Sequence, residues 1–269
     1  MDAGAPAPPD SCMRAPAVAF IAVVLLAAPG AMAAAQTDEI QVYDGALAAV
    51  HEFTLTLHTN YVISGDAQPA FPGAVVANHS LNGVPEFAYG VTDWFEAGLY
   101  LPVWSVDARS GLGYDGFKLR ALFASPHADD RPFAYGVNLE FSVNAPRWDS
   151  TKYTSEIRGI LAWHLGSMDV IVNPIFDTSY DGIGNLEFVP CARVDYNAGK
   201  LWSFALEQYS DFGPIKDFYP LNEQSQQLFA VVDRHWKRWD GEFGVGAGLT
   251  SASDPWTVKL ILSTSLSGK

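Results

Sequence analysis

The stretch Phe133–Val143 reads Phe-Ala-Tyr-Gly-Val-Asn-Leu-Glu-Phe-Ser-Val. Apolar and aromatic side chains occupy every second position, so they share one face of an extended chain, while Asn138, Glu140 and Ser142 share the other. This alternation predicts a β-strand. A strand that crosses a bilayer needs roughly 9–11 residues, whereas strands of water-soluble sheets average about 5–6. The stretch is therefore typical of a transmembrane strand with a lipid-facing and a lumen-facing side.

The same alternation recurs along the chain and predicts about twelve strands. They cover residues 51–62, 83–91, 94–102, 116–124, 132–143, 154–165, 169–179, 186–196, 201–210, 226–235, 241–250 and 256–266. An even number of strands suits an all-β, antiparallel up-and-down barrel that spans a membrane and has both termini on the periplasmic side. The connections mostly agree, because such barrels alternate short periplasmic turns with longer outer loops. The predicted long loops are 63–82, 103–115, 144–153 and 211–225, and the predicted short turns are 92–93, 166–168 and 197–200.

The N-terminus has the three parts of a secretory signal peptide. Arg14 precedes an apolar run over 15–28, and Ala31-Met32-Ala33 supplies small residues for cleavage after Ala33 or Ala35. We therefore predict a signal peptide over 1–35, with Met13 as an alternative start of translation, a periplasmic segment over 36–50 and the barrel over 51–269. This organisation predicts Sec-type export to the outer membrane of a Gram-negative bacterium.

Composition excludes several classes of function. The chain carries 16 Lys and Arg against 30 Asp and Glu, a formal charge of −14. Phosphate contacts need clustered Lys and Arg, so we expect no nucleic-acid partner. Cys12 leaves with the signal, and Cys191 is then a single thiol that we expect to be a small packed residue. We expect no cofactor and no metal.

The polar face of the predicted strands supplies the residues expected to line the lumen. These lumen-lining candidates are Glu52, Glu86, Glu96, Lys118, Arg120, Glu140, Glu156, Arg158, Asp177, Glu187, Arg193, Glu207, Asp233, Glu242 and Lys259. Carboxylates outnumber cations on this face. If the lumen holds water, that excess concentrates cations and favours their passage. If the lumen is narrow, Glu156, Arg158, Arg193 and Glu187 would pair and fill it.

Aromatic residues gather near the predicted strand ends, as in the girdles of outer-membrane barrels. They are Trp94, Tyr100, Trp104, Trp148, Tyr153, Tyr180, Tyr196, Trp202 and Trp256. Pro174 and Pro190 fall inside two predicted strands, where proline removes a ladder donor, so we expect a bulge or a shifted register there.

Two short motifs suggest other chemistry. Asn78 to Gly83 reads Asn-His-Ser-Leu-Asn-Gly and invites comparison with outer-membrane phospholipase A, but His79 and Ser80 are adjacent and would point to opposite strand faces. Pro126 to Asp130 contains His127, Asp129 and Asp130, which are possible metal ligands and also ordinary turn formers.

The stretch Pro85–Pro102 reads Pro-Glu-Phe-Ala-Tyr-Gly-Val-Thr-Asp-Trp-Phe-Glu-Ala-Gly-Leu-Tyr-Leu-Pro, with a Thr-Asp turn between two strands and Glu96 pointing inward. It resembles a hairpin of proteobacterial outer-membrane barrels, a group that includes porin-like proteins described as phenol-degradation-pathway transporters. Glu207, Tyr209 and Asp211-Phe212-Gly213 are also similar. The resemblance implies a barrel over most of the mature chain. The chain departs from the pattern at Leu266-Ser267-Gly268-Lys269, because such barrels commonly end in an aromatic residue recognised by the barrel-assembly machinery.

The sequence thus favours a passive outer-membrane channel or transporter for small solutes, with an acidic, cation-favouring lumen and no enzymatic activity. Its expected partners are outer-membrane lipids, the solutes and the barrel-assembly machinery. Two alternatives stay open. One is a lipid-modifying enzyme of the phospholipase type, and the other is a sealed structural or adhesion barrel whose long loops form the working surface.

Overall fold

The structure is a computed structural model that describes Met1 and residues 38–266. The predicted signal peptide, its cleavage site and the last three residues of the chain lie outside the described residues. In the described part, no helix is both long and apolar enough to cross a membrane.

Fourteen strand segments build the fold of the described chain. They are β1 Phe53–Ser64, β2 Leu81–Gly90, β3 Phe95–Asp107, β4 Gly111–Ala124, β5 Phe133–Asn144, β6 Tyr153–Leu165, β7 Met168–Asn173, β8 Ile175–Thr178, β9 Glu187–Phe188, β10 Cys191–Asn197, β11 Trp202–Asp211, β12 Ser225–His235, β13 Trp239–Gly248 and β14 Trp256–Ser265. Each pairs antiparallel with its neighbours, and β14 pairs with β1 to close the sheet. Because β7 and β8 both pair with β6 and act as one broken strand, as do β9 and β10, the segments form a closed barrel of 12 strands. The predicted architecture is confirmed.

Both breaks in the strands lie at proline. Pro174 separates β7 from β8, and Pro190 separates β9 from β10. Proline has no N–H for the ladder, but its carbonyl still accepts: Pro174 accepts from Gly159 at 2.8 Å and Pro190 from Ser210 at 3.1 Å. The wall therefore continues past both prolines without a gap in the ring of strands.

Side chains alternate across the wall as the sequence predicts. On β5, Phe133, Tyr135 and Phe141 are exposed on the outside, while Asn138 and Glu140 are buried inside. The outward apolar side chains form the surface that faces the acyl chains of a bilayer. The barrel therefore exposes apolar side chains and buries charged ones, which is the reverse of the distribution in a water-soluble protein.

Connections differ at the two ends of the barrel. The turn end carries the short connections, such as 166–167 and 198–201, and the loop end carries the longer ones, such as 65–80 and 212–224. The predicted loop over 103–115 is wrong, because β3 and β4 continue as a hairpin in which Val106 pairs with Leu112. The turn between β4 and β5 contains a short 3-10 helix, Ala128–Asp130.

The aromatic girdle is only partly as predicted. Trp94, Tyr153 and Trp202 are exposed on the outer surface. Tyr100 and Trp148, which the sequence also placed in the girdle, are buried and pack with Val75 inside the barrel. Val75 belongs to the connection between β1 and β2, so part of that loop folds inward over the loop end.

Candidate functional site

The interior of the barrel holds most of the predicted lumen-lining residues as ion pairs. Arg193 on β10 contacts Asp195 at 2.7 Å, Glu207 at 2.6 Å and Glu242 at 2.7 Å, and it also contacts Asp233. Since β10 and β13 are not neighbours, Arg193 and Glu242 can meet only across the interior.

Lys259 on β14 extends this network. Its ammonium lies 2.5 Å from Glu242 and also contacts Glu207. Lys259 and Glu207 are fully buried, so neither charge reaches bulk water. Buried charges are tolerated when they are paired and hydrogen-bonded, and removal of one partner leaves the other with a desolvated, unpaired charge.

A second network lies around Arg120 on β4. The guanidinium is 2.6 Å from Glu86 and also contacts Glu96. Glu86 in turn lies 3.1 Å from Nε2 of His58. A third set joins Arg158 to Glu156 at 2.7 Å on β6. Together these pairs line the wall with alternating charge.

The structure places the fifteen lumen-lining candidates in different environments. Nine are buried inside: Glu86, Glu96, Arg120, Glu140, Arg158, Arg193, Glu207, Asp233 and Lys259. Lys118, Glu156, Asp177 and Glu242 are half-buried and line internal cavities. Glu187 is exposed at the loop end, where it lines two cavities, and Glu52 lies at the turn end beside Ser265. Of the four residues that a narrow lumen was expected to pair, Glu156 and Arg158 do pair, Arg193 contacts other carboxylates on β10 to β13, and Glu187 forms no ion pair among the described residues.

The N-terminal segment, residues 38–48, occupies the middle of the lumen. The sequence predicted a periplasmic segment over 36–50, and the structure places Asp38 to Tyr43 inside the ring of strands. Wall side chains hold its backbone. Asn173 both accepts from the Tyr43 N–H at 2.7 Å and donates to the Tyr43 carbonyl at 2.9 Å, while Lys259 donates to the Ile40 carbonyl at 3.1 Å.

Further contacts fix the start of the same segment. Asn60 donates to the Asp38 carbonyl at 3.0 Å, and the Lys118 ammonium lies 2.7 Å from the Asp38 carboxylate. Arg158 donates to the Gln41 carbonyl at 2.9 Å. Backbone groups need partners when buried, and here wall side chains supply them in place of a β-ladder.

Side chains of the N-terminal segment pack against the wall. Ile40 belongs to a buried apolar cluster with Phe229 and Val231, and Val42 belongs to another that includes Cys191. The Tyr43 hydroxyl lies 2.6 Å from the Tyr100 hydroxyl. Burial, and then the charge of Glu39, raise the pKa of Tyr43 well above its ordinary value, so the phenol stays protonated. The predicted role of Cys191 as a small packed residue matches this position.

Cavities remain on both sides of the N-terminal segment. A cavity of about 500 Å³ opens at the turn end, and two of about 290 Å³ and 420 Å³ lie toward the loop end. Gln41 lines both the turn-end cavity and the smaller loop-end cavity, so the segment separates them. Each cavity is lined by more carboxylates than cations.

The alternation of the strands did not predict that the N-terminal segment lies inside the lumen. Its partners there are side chains scattered over β1, β4, β6, β7 and β14. Its one local signal is the sequence Asp38-Glu-Ile-Gln-Val-Tyr-Asp44, in which Ile40 and Val42 alternate with polar residues as in a strand. That alternation distinguishes the segment from an ordinary polar linker.

The two other sequence motifs do not assemble into sites. His79 is exposed while the neighbouring Ser80 is fully buried, so the two side chains point apart. Among the described residues, no group of three or more His, Cys, Asp or Glu side chains is arranged to hold a metal ion, and this includes His127 and Asp129.

Comparison with known proteins identifies the fold. No protein-family model and no curated protein matches the chain. Among solved structures, an outer-membrane channel from Pseudomonas putida F1 is 12% identical, with 85% of this chain and 100% of that chain covered and a TM-score of 0.58. This chain has the fold of an outer-membrane channel barrel. At this identity, the likeness shows the fold alone.

Two further matches are weaker. The KdgM porin, solved with disordered oligogalacturonate, is 11% identical, with 80% of this chain and 99% of that chain covered and a TM-score of 0.49. LpxR from Salmonella typhimurium, an enzyme, is 7% identical, with 78% and 99% covered and a TM-score of 0.42.

Proposed function

We propose that this protein is a passive outer-membrane channel for small solutes, with a cation-favouring lumen that the N-terminal segment occludes in the conformation described. The observation that carries the proposal is a closed barrel with polar, acid-rich cavities on both sides of the N-terminal segment. A structurally similar protein from Pseudomonas putida is an outer-membrane channel, which agrees with this interpretation.

The distribution of charge supports cation preference. Glu156, Asp177 and Glu187 lie directly opposite one another on β6, β8 and β9. Glu156 pairs with Arg158, but neither Asp177 nor Glu187 forms an ion pair within the described residues. Uncompensated carboxylates in a water-filled vestibule raise the local concentration of cations and disfavour anions.

The N-terminal segment is the main barrier to passage along the barrel axis. It separates the turn-end cavity from the smaller loop-end cavity, whereas the wall itself is continuous. Among the described residues, its contacts are hydrogen bonds, the ion pairs Lys118–Asp38 and Arg158–Glu39, and modest apolar packing, which water can replace more readily than the β-ladder of the wall. Displacement of the segment toward the turn end would join the cavities, so the protein would conduct in a segment-out state.

Conductance of the refolded protein in a planar bilayer tests the proposal. The double variant Asp177→Asn/Glu187→Gln should lower cation preference, measured as the reversal potential under a salt gradient. The control Asp217→Asn/Glu223→Gln removes the same charge from a loop whose two residues line none of the described cavities. Equal reversal potentials for the two double variants would contradict a cation-selective vestibule.

A deletion of residues 38–47 tests the role of the N-terminal segment. We expect a larger unit conductance or a higher open fraction, because the turn-end and loop-end cavities then become continuous. A folded deletion variant with the parent's unit conductance and open fraction would contradict the role of the segment as the barrier. A silent one would show that the barrel is sealed by its own side chains and would favour a structural role.

Location and biogenesis complete the proposal. The barrel fold matches that of Gram-negative outer-membrane proteins. We propose Sec-type export, insertion by the barrel-assembly machinery and residence among outer-membrane lipids. Fractionation of expressing cells should recover the mature protein in the outer membrane, and a soluble mature protein in the periplasm would contradict the proposal.

A further inference from the structure

Positive charge is scarce in this chain, yet it accumulates at one place on the outer surface. Of 16 Lys and Arg residues, Lys200, Arg234, Lys237 and Arg238 lie at the turn end where β11 and β12 meet. None of the four forms an ion pair with a carboxylate in the part of the chain that the structure describes. In a protein of net charge −14, an unneutralised cluster of cations needs a reason.

The geometry of the cluster centres on Arg234. Trp202 and Arg234 are directly paired across β11 and β12, and the guanidinium lies 4.4 Å from the Trp202 ring. It also lies 5.8 Å from the Trp236 ring. A guanidinium held against indole rings keeps its N–H edges free, and those edges fit the oxygens of a phosphate bidentately.

Glycine makes room for this arrangement. A Cβ on Gly241 would lie 2.7 Å from the Trp236 ring, so the indole rests on the bare backbone of β13. Trp202, Trp236 and Trp239 are 43%, 52% and 41% exposed. We call Lys200, Trp202, Arg234, Trp236, Lys237 and Arg238 the basic-aromatic patch.

The basic-aromatic patch lies on the outer surface at the turn end of the barrel. Phe204 and Leu206 follow Trp202 on the same outer face of β11 and are exposed, so the patch borders the apolar band of the wall. The carboxylates nearest in sequence, Asp233 and Asp240, both line the turn-end cavity on the inner side, where Asp233 pairs with Arg193 and Asp240 lies 2.9 Å from His235. Indole rings favour the headgroup region, and clustered Lys and Arg near it attract anionic lipid.

We propose that the basic-aromatic patch binds the phosphate headgroup of an anionic glycerophospholipid in the leaflet at the turn end. Arg234 holds the phosphate bidentately, the indoles of Trp202 and Trp236 position the guanidinium, and Lys237 and Arg238 add electrostatic attraction. The site would fix the depth and tilt of this side of the barrel. The inference rests on the barrel spanning a membrane and is independent of whether it conducts.

Lipid retention tests the inference. The refolded mature protein is placed in nanodiscs of equal parts phosphatidylglycerol and phosphatidylcholine, and native mass spectrometry counts both lipids on the released barrel. The triple variant Arg234→Gln/Lys237→Gln/Arg238→Gln removes the charge of the patch. The matched control Arg109→Gln/Lys152→Gln/Lys216→Gln removes three exposed cations from the loop end. Circular dichroism and heat-dependent gel migration confirm that each variant is folded.

We expect the parent protein and the loop-end control to retain phosphatidylglycerol in excess over phosphatidylcholine. In the patch variant the preference should fall by up to roughly fivefold for each charge removed. Unchanged enrichment in a folded patch variant would overturn the proposal, and so would an equal loss in the control, since net charge alone would then explain it. Conductance of the patch variant should equal that of the parent, which separates this result from the channel experiments.

Discussion

Replacement of Asn173 by Ala should loosen the N-terminal segment without breaking the wall. The side chain is fully buried and makes two hydrogen bonds to the Tyr43 backbone, at 2.7 Å and 2.9 Å. A typical hydrogen bond contributes about 0.5–1.5 kcal/mol net, so the two together contribute about 1–3 kcal/mol to docking of the segment. This free energy corresponds to a shift of roughly 5- to 150-fold toward the undocked state.

Hydrogen exchange measured by mass spectrometry on a peptide spanning residues 38–48 gives this shift directly, since local opening controls exchange. The matched control is Asn138→Ala. Asn138 is equally buried, but its amide donates to Glu140 on the wall, at 2.8 Å, and not to the segment. We expect faster exchange in the Asn173 variant and parental exchange in the control.

Either of two results would refute the reasoning. Unchanged exchange in a folded Asn173→Ala variant would mean that the segment is not held in the lumen by this amide. Faster exchange without any rise in open fraction in a planar bilayer would mean that the segment moves but does not gate the barrel.

Three further predictions follow from other contacts. Burial raises the pKa of Asp254, in the connection between β13 and β14, to about 6, although a hydrogen bond from the Asp66 backbone lowers it. Asp254 is therefore charged above that pH and neutral below it. Cation preference should decline as the loop-side pH is lowered from 7 to 5, but not in Asp254→Asn. Phe229→Ala should lower the free energy of unfolding, measured with denaturant in vesicles, by about 3–5 kcal/mol, because the ring is fully buried; an outward-facing ring would lose far less. Gly246→Ala should cost about 1–3 kcal/mol, because its Cβ would lie 2.4 Å from the Phe229 ring, and this cost should vanish in the Phe229→Ala background; full additivity would contradict the clash.

The extended β3–β4 hairpin and the inward position of Tyr100 were not predictable from local sequence. Residues 103–115 contain two glycines and polar residues that are typical of a loop, yet β3 and β4 pair through most of this stretch. Backbone pairing overrode local propensity there, because each strand supplied a partner for the other. Tyr100 is of a residue type common in aromatic girdles, but its position on β3 points it inward.

For the candidate site, the sequence predicted which face each residue occupies but not which residues it contacts. The inward position of Glu86, Arg120 and Lys259 was predictable, since alternation along a strand decides which face a residue occupies. Their partners were not predictable. Arg193 meets Glu242 across three strands, and Lys259 meets Glu207 in the same way, so pairing depends on barrel diameter and stagger.

Alternation, length and the two prolines are local properties, and by themselves they determined the all-β barrel, its strand number and the interruptions at Pro174 and Pro190. A bilayer imposes one requirement on every strand, an apolar outer face, and that requirement is visible in each strand separately. The position of residues 38–48 was decided only by the tertiary structure. Their hydrogen-bond partners, Asn60, Asn173 and Lys259, come from strands far apart in the chain and converge on one segment only after the barrel closes.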